Sequence, residues 1–319
     1  MLCLTILSNS EEKKKFIDGT ISEMDSLPNG ITDINGIFRG CRQLVDAPTI
    51  PNSVKNMDYS FYYCLNLVNP PVISNGVETM KGSFSYCYNL ATAPQIPNSV
   101  VDMTNTFRDC NMITDAPDMS GCNNIETMYW TFDRCQKLVN FPAFPPNVKN
   151  ISYCFNYCRS LKNFPDKIPD TVTEMDRTFE YCSNLTHSPI LSNNVVNMYD
   201  TFSATNLLVA PTIPNSVKNM AGTFRYTEIT EAPIIPENVT NMLWTFMYCN
   251  NLTGNIYIHS NMVSTATNCF YGASLTKNVY IPFKYENGVN TATYNAFVNA
   301  GYTTSGTKYG VYLKDINTL

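Results

Sequence analysis

Apolar side chains recur along this chain with a period close to 23 residues. Each period carries an aliphatic residue, then Met three positions later, Phe at seven, Cys at ten and Leu or Ile at thirteen, as in VKNMDYSFYYCLNL. We number each period from its Phe, which is position zero. A fixed period of this length is typical of repeat arrays in which each unit stacks on its neighbours. The phenylalanines are Phe38, Phe61, Phe84, Phe107, Phe132, Phe155, Phe179, Phe202, Phe224, Phe246 and Phe270, with Phe297 as the last member.

Within each period, the pattern predicts three short elements. The apolar positions −7, −4, 0 and +3 share one face of a helix, so a short helix is expected there, with the polar residue at −5 as its N-cap. Segments such as LVDAP, which open at +6, are expected to be short strands, and Pro-Asn sequences such as IPNSV are expected to be turns. Because strands stack more closely than helices, the array is expected to curve with its strands on the concave face.

The chain divides by sequence into three regions. Residues 1–28 are predicted to cap the array, with LCLTIL as a strand and SEEKKKFID as a capping helix or turn. Residues 29–254 hold the regular repeats. Residues 255–319 are predicted to continue the array with atypical repeats and then close it, with NIYIHS, NVYIPF and GVYLKDI as strands and 265–273 and 291–302 as helices.

Charge argues against two classes of partner. The net charge is −5, charged residues make up only 15% of the chain, and Lys13, Lys14 and Lys15 form its one basic cluster. We therefore expect no nucleic-acid partner and no membrane insertion. No signal peptide or transmembrane segment is seen in the sequence. We therefore expect an extracellular protein that is either a virion component or a mature chain of a bacterial cell surface.

The twelve cysteines do not resemble a disulfide framework. Eight occupy position +3 of successive repeats, which predicts stacked, buried and mostly reduced thiols. No CxxC pair occurs, only two histidines exist, and no phosphate-binding or nucleophile motif is found, so we predict no metal, no cofactor, no catalytic residue and no enzymatic activity. The eight are Cys41, Cys64, Cys87, Cys110, Cys135, Cys158, Cys182 and Cys249.

The repeat resembles the BspA-like leucine-rich repeats of bacterial surface proteins, in their Met-Phe-Cys variant. Met57, Phe61, Cys64, Leu67 and Pro70 carry the resemblance in one copy, and it extends over roughly residues 29–275. The resemblance implies an α/β solenoid, a leucine-rich-repeat-like right-handed array of about 11–12 repeats, with roles in adhesion or host-protein binding. The C-terminal YNAF, AGY and GVYLKDI are also similar to the ends of gut-bacterial and phage proteins.

Aromatic residues are the first candidate binding surface. On a helix, positions −2 and +2 point away from the core, and Tyr and Trp there suit contact with a protein or a cell-surface glycan. The alternative is that these rings pack on the next repeat and seal the stack. The candidates are Tyr59, Tyr63, Tyr86, Trp130, Tyr153, Tyr157, Tyr181, Tyr226, Trp244 and Tyr248.

A polar row at position +8 is the second candidate surface. It would lie on the concave strand face, where repeat arrays often bind ligands. The alternative is that these side chains bond the adjacent Pro turn. The row contains Asp46, Asn69, Asp115, Asn140, Asn163 and His187.

Two functional hypotheses follow. The first is a non-enzymatic binding protein for protein or glycan recognition, either adhesin-like or a receptor-binding or fibre component of a phage. The second is a structural virion or assembly subunit whose repeat surface binds copies of itself or other virion proteins. A stable monomer that binds bacterial cells would favour the first, and a defined oligomer that binds none would favour the second.

Overall fold

The structure is a computed structural model that describes residues 27–273, 276–306 and 308–319. The predicted strand and capping helix within residues 1–26 lie outside the described residues. The chain divides into two compact units, Met1–Pro165 and Asp166–Leu319. Each unit is a stack of repeats with its own buried core.

The core contains the apolar positions that the periodic pattern predicts. In the repeat centred on Phe84, the side chains of Val77, Met80, Phe84, Cys87 and Leu90 are all fully buried. Within each unit, the rings of successive phenylalanines stack almost parallel, with centroids 5.0–6.0 Å apart. The pairing of like residues between neighbouring repeats is therefore confirmed. Removing one such ring typically costs about 3–5 kcal/mol.

The predicted helix around each Phe is wrong for the repeats of Phe38 to Phe270, because the segment is a run of tight turns. In the repeat of Phe61, Ser60 N bonds Met57 O (3.0 Å) and Cys64 N bonds Phe61 O (3.1 Å), which are three-residue turn bonds. The third residue of each of these two turns, Tyr59 or Tyr63, has a positive φ of 53° or 63°. Such turns need a left-handed residue at this place, and a helix forbids one.

Hydrogen bonding between repeats explains why turns replace the helix. In the repeat of Phe61, the N–H groups at −4, −2, 0 and +2 donate to carbonyls of the next repeat, 2.7–2.9 Å away. Between them, the N–H groups of Ser60 and Tyr62 close turns within their own repeat. A helix would use all of these donors internally, whereas alternate turns leave every second donor in this segment to bond the neighbouring repeat.

The predicted strands are reduced to single parallel bridges in the regular repeats, most of them in two rows. One row runs through position −5, as in Asn56–Thr79, and the other through position +8, as in Asp46–Asn69. The polar residue at −5 is therefore a bridge residue instead of a helix cap. Its side chain still bonds the backbone locally, because Asn56 Oδ1 accepts from Asp58 N at 2.9 Å.

Small polar groups complete the stacked core. The Ser83 hydroxyl at position −1 lies 2.7 Å from Met57 O and 2.8 Å from Met80 O, so it ties two repeats together. The thiol of Cys87 donates to Phe61 O, with sulfur and oxygen 3.1 Å apart. All eleven cysteines among the described residues are free and buried. Their packing as small buried groups agrees with the prediction from their register.

The C-terminal region contains longer regular elements. Strands β1 (Gly254–Tyr257), β2 (Lys277–Ile281) and β3 (Val311–Asp315) form a parallel sheet in that order, with Tyr257 opposite Tyr280 and Tyr280 opposite Lys314.

Between β2 and β3, helix α1 (Ala292–Asn299) buries Phe297, the last member of the series. Thr291 caps this helix by accepting from Tyr294 N at 3.0 Å. A single 3₁₀ turn, Ile316–Thr318, follows β3. The predicted helix at 265–273 is instead another run of turns.

Candidate functional site

The ten aromatic candidates share an unusual backbone conformation. All of them lie at positions −2 and +2, and every described residue at these two positions, from Gly36 to Gly272, has φ between 50° and 78°. Non-glycine side chains rarely adopt this region, and each pays of order 1 kcal/mol to do so. The structure thus brings the predicted aromatic residues onto the turns, and stacking between repeats offsets the backbone strain.

Five tyrosines of the first unit form one connected group, which we call the tyrosine cluster: Tyr59, Tyr62, Tyr63, Tyr86 and Tyr88. The rings of Tyr63 and Tyr86 stack with centroids 4.4 Å apart. Tyr62 meets Tyr59, Tyr63 and Tyr86 edge-on at 5.8, 4.7 and 5.5 Å. Tyr88 meets Tyr86 edge-on at 6.3 Å. The sequence pattern missed Tyr62 and Tyr88, because on a helix neither lies on the outward face.

The tyrosine cluster is accessible as well as packed. Tyr59 and Tyr88 are each 38% exposed, while the other three members are half-buried. Burial raises the pKa of Tyr86 and of Tyr88, so both hydroxyls stay protonated at neutral pH. The guanidinium of Arg39 lies 4.9 Å from the centre of the Tyr62 ring. The cluster therefore offers ring edges, phenolic hydroxyls and a cation on one surface.

The remaining aromatic candidates form smaller contacts. Trp130 and Tyr153 pack edge-on at 5.3 Å, and the Arg108 guanidinium lies 5.1 Å from the Trp130 ring. In the second unit, Tyr226 and Tyr248 stack at 4.8 Å, and Tyr226 is 48% exposed. The aromatic rows therefore seal neighbouring repeats and still reach solvent in places. Tyr181 is also exposed, and Tyr157 lies under the guanidinium groups of Arg134 and Arg159.

The polar row at +8 forms hydrogen-bonded ladders between repeats. Asn69 Nδ2 donates to Asp46 Oδ1 at 2.6 Å. In the same way, Asn140 donates to Asp115 and Asn163 donates to Asn140. These side chains bond the equivalent residue of the next repeat, whereas the sequence left open a bond to the Pro turn. Most of the row is exposed, as is the side chain of His187.

A group of buried charges in the second unit was missed by the sequence pattern. The carboxylate of Asp200 is completely buried and lies 3.4 Å from Nη2 of Arg177 and 3.4 Å from Nη2 of Arg225. Glu180, also buried, lies 3.6 Å from each of the same two guanidinium groups. Arg177 and Asp200 occupy the −2 position that aromatic residues hold elsewhere. The charges are balanced, which is the usual condition for ions inside a protein.

Glycines at the left-handed positions make room for the preceding repeat. A Cβ on Gly82 would lie 2.7 Å from the Tyr59 ring, and one on Gly222 would lie 2.0 Å from Asp200 Oδ1. The side chain at −2 of one repeat thus covers the backbone at −2 of the next. Gly, Asn and Asp recur at these positions in the sequence, and this enrichment was the available signal for a left-handed backbone.

Within 27–273, 276–306 and 308–319, no group of three or more His, Cys, Asp or Glu side chains could hold a metal ion. Across the same ranges, no helix has the length and apolar character needed to cross a membrane. Burial raises the pKa of Cys249 to about 11, so this thiol is a poor nucleophile or metal ligand.

Comparison with known proteins gives a consistent family match. The profile described as "BspA type Leucine rich repeat region" matches six copies, over residues 13–138, 104–230 and 201–305. No curated protein matches this chain.

Similar solved structures include three bacterial repeat proteins. A leucine-rich repeat protein of T. pallidum is 24% identical, with 52% of this chain and 75% of that chain covered and a TM-score of 0.39. One from Bacteroides ovatus is 17% identical, with 93% and 90% covered and a TM-score of 0.36. A leucine-rich cell surface protein of Faecalibacterium prausnitzii is 17% identical, with 89% and 76% covered and a TM-score of 0.35.

Proposed function

We propose that this chain, which belongs to the BspA-type leucine-rich repeat proteins, is a non-enzymatic binding protein that recognises a protein or a cell-surface glycan through its tyrosine cluster. We further propose that it acts outside the cell, on a bacterial surface or as a receptor-binding component of a phage particle. The family match spans most of the chain. The partner has to be inferred from the surface itself, because one repeat fold serves many ligands.

The tyrosine cluster is the observation that carries this proposal. Tyr59, Tyr62, Tyr63, Tyr86 and Tyr88 lie in continuous ring contact over two successive repeats, and among the described residues no hydrogen bond is made by their hydroxyls. Tyrosine supplies a large contact area at a low cost in side-chain entropy, and its hydroxyl adds a directional bond. A purely sealing role would not require rings that remain accessible to solvent, as those of Tyr59 and Tyr88 do.

The arrangement of the rings limits how a partner can bind. Tyr63 and Tyr86 cover each other's faces at 4.4 Å, so that a partner meets mainly their edges and hydroxyls. Tyr59 and Tyr88, at the two ends of the cluster, are the most exposed members. Loss of these two side chains should therefore reduce binding while the central stack remains intact.

The test uses the full chain with a fluorescent label, a panel of bacterial cells and a glycan array. Tyr59→Asn combined with Tyr88→Ala should weaken binding by roughly tenfold or more. Asn is chosen because Asn105 holds the same left-handed position naturally. Tyr226→Asn, an exposed ring at position +2 in the second unit, is the matched control and should bind like the parent chain.

Three outcomes would contradict the proposal. The double variant could bind like the parent, Tyr226→Asn could lose as much binding as the double variant, or the parent could bind neither cells nor glycans. Mass photometry of the same samples separates the alternative assembly role. A defined oligomer that binds no cells, and that the double variant dissociates, would show that the cluster joins copies of the chain.

A further inference from the structure

A separate apolar surface lies in the second unit, away from the aromatic positions. Four aliphatic side chains there are largely exposed: Ile190 at 66%, Leu208 at 54%, Val209 at 73% and Ile234 at 60%. We call these four residues the aliphatic patch. Single exposed aliphatic residues are ordinary on protein surfaces, whereas several exposed on consecutive repeats favour contact with another molecule.

Two neighbouring clefts open beside the aliphatic patch. The smaller has a volume of about 250 Å³ and contains Ile190 in its wall, and the larger has a volume of about 440 Å³ and contains Ile234. Pro211 and Thr212 line both clefts and separate them. Each cleft is large enough for an aliphatic side chain, and the exposed isoleucines extend its apolar walls.

The clefts coincide with a break in the bridge pattern of the extended segments. Ile190 pairs with Lys167, and Ile235 pairs with Ile258. In the part of the chain that the structure describes, no backbone hydrogen bond joins residues 210–214 to either neighbouring segment. Two of these five residues are prolines, which lack an N–H donor, and the repeats here are 22 residues long. The two clefts open where these segments lack backbone bonds to one another.

The surroundings of the patch carry negative charge. Glu237 lines the larger cleft, and Glu231 is exposed three residues before Ile234. Neither cleft has a Lys or Arg in its wall, although His259 also lines the larger one. Lys167, which pairs with Ile190, is bonded to Asp170 at 2.7 Å, so that its charge is compensated. A bound segment would therefore find exposed aliphatic side chains with carboxylates nearby, a combination that complements aliphatic side chains flanked by basic ones.

We propose that the aliphatic patch docks a protein segment in which aliphatic side chains are flanked by Lys or Arg. The aliphatic side chains occupy the two clefts against Ile190 and Ile234. The basic side chains lie near Glu231 and Glu237. This docking does not depend on the tyrosine cluster, so either surface can fail its test without affecting the other.

Three labelled synthetic peptides test the docking with the full chain by fluorescence anisotropy. The first alternates Ile and Pro between terminal lysines, the second replaces the lysines by glutamates, and the third replaces the isoleucines by serines. The lysine-flanked peptide should bind roughly tenfold or more tightly than either of the others at low salt. Added salt should reduce this preference over the glutamate-flanked peptide, since the carboxylates are exposed.

Two variants place the binding on the patch. Ile190→Ser combined with Ile234→Ser should weaken binding of the lysine-flanked peptide by about tenfold or more. Val72→Ser is the matched control, because Val72 is 83% exposed in the first unit and lines neither of the two clefts. This control should bind like the parent. Melting curves should be unchanged in all variants, because each altered side chain is exposed.

Any of three results would overturn the proposal. The lysine-flanked peptide could fail to bind or bind no better than the others, or the double variant could bind it as tightly as the parent does. Sedimentation could instead show a dimer that the double variant dissociates, which would assign the patch to a second copy of the chain. If melting shows that the double variant is destabilised, Ile234→Ser alone serves in its place, with a loss of binding expected in the same direction.

Discussion

The ring of Tyr248 lies directly over the backbone of Gly272, one repeat further along the chain. A Cβ on Gly272 would sit 2.3 Å from Cδ1 of this ring, far inside van der Waals contact. Gly272 also has a φ of +77°, which side chains rarely adopt. One glycine thus serves both the left-handed turn and the close approach of two repeats.

Gly272→Ala should destabilise the second unit more than the same substitution does at a left-handed position with open space around it. Gly254→Ala is the matched control, because Gly254 has φ +81° with nothing within 4 Å of the added Cβ. The free energy of unfolding of the control should fall by about 1 kcal/mol because of backbone strain. Gly272→Ala should lose a further 1–3 kcal/mol or so from overpacking against the ring. Urea denaturation followed by circular dichroism measures both, and equal losses would show that the Tyr248 ring moves aside freely.

The repeat length and the core could be predicted from sequence because both follow from apolar periodicity. The helix could not, because the buried spacing −7, −4, 0 and +3 is produced equally by a run of three-residue turns. The two differ in the sign of φ at positions −2 and +2, which is positive in the turns and negative in a helix. Gly82 and Asn105 are residue types at these positions that indicate a positive φ. Large residues at the equivalent positions, such as Trp130, obscured this signal, because a positive φ is unfavourable for them and is not expected from the sequence.

The candidate site was predicted in part, for a related reason. The rings at −2 and +2 do reach the surface, since a left-handed turn residue points outward much as the far side of a helix would. Tyr62 and Tyr88 belong to the cluster through contacts of turn residues within their own repeats, which a helical repeat does not predict, and Tyr62 also meets Tyr86 of the next repeat. Asp200 is buried between two arginines from neighbouring repeats, so its environment also depends on stacking that the sequence does not state.

Phe155→Ala should destabilise the chain more than Phe38→Ala does. The Phe155 ring is surrounded by Phe132, Phe141 and Phe144 with centroids 4.7–6.2 Å away, whereas Phe38 belongs to the first repeat of the series. The loss at Phe155 should be about 3–5 kcal/mol, as for other buried rings. Thermal melting of both variants tests this. Equal shifts in melting temperature would argue against stabilisation by stacked repeats.

The buried thiols should be inert in the folded chain. Burial raises the pKa of Cys249 to about 11 and raises that of Cys110 well above its ordinary value, and the thiolate is the reactive form. A chain carrying Cys3→Ser leaves the eleven cysteines that the structure describes as free and buried. At pH 8, a thiol reagent such as DTNB should label almost none of them until urea is added, when all should react. Rapid labelling of the folded chain would show that the repeats open locally.

Asp176 should make the second unit more stable at pH 5 than at pH 7. Its carboxylate accepts from Asn197 Nδ2 at 2.8 Å and from Tyr199 N at 3.0 Å, but burial is the larger influence and raises its pKa to about 6. In an unfolded chain the pKa of Asp is about 3.9. Between these values the folded state binds more protons than the unfolded state, so the free energy of unfolding falls as pH rises through this window.

The effect of Asp176 can be isolated by comparing two variants. Asp176→Asn cannot titrate, so its change in melting temperature between pH 5 and pH 7 should lack the extra stabilisation at pH 5 that the parent chain shows. Asp118→Asn is the control, because hydrogen bonds from Ser120 lower the pKa of Asp118 and place its titration below this window. Its pH dependence between 5 and 7 should match the parent. If Asp176→Asn also matches the parent, then Asp176 is solvated in the folded chain, and burial does not control its protonation.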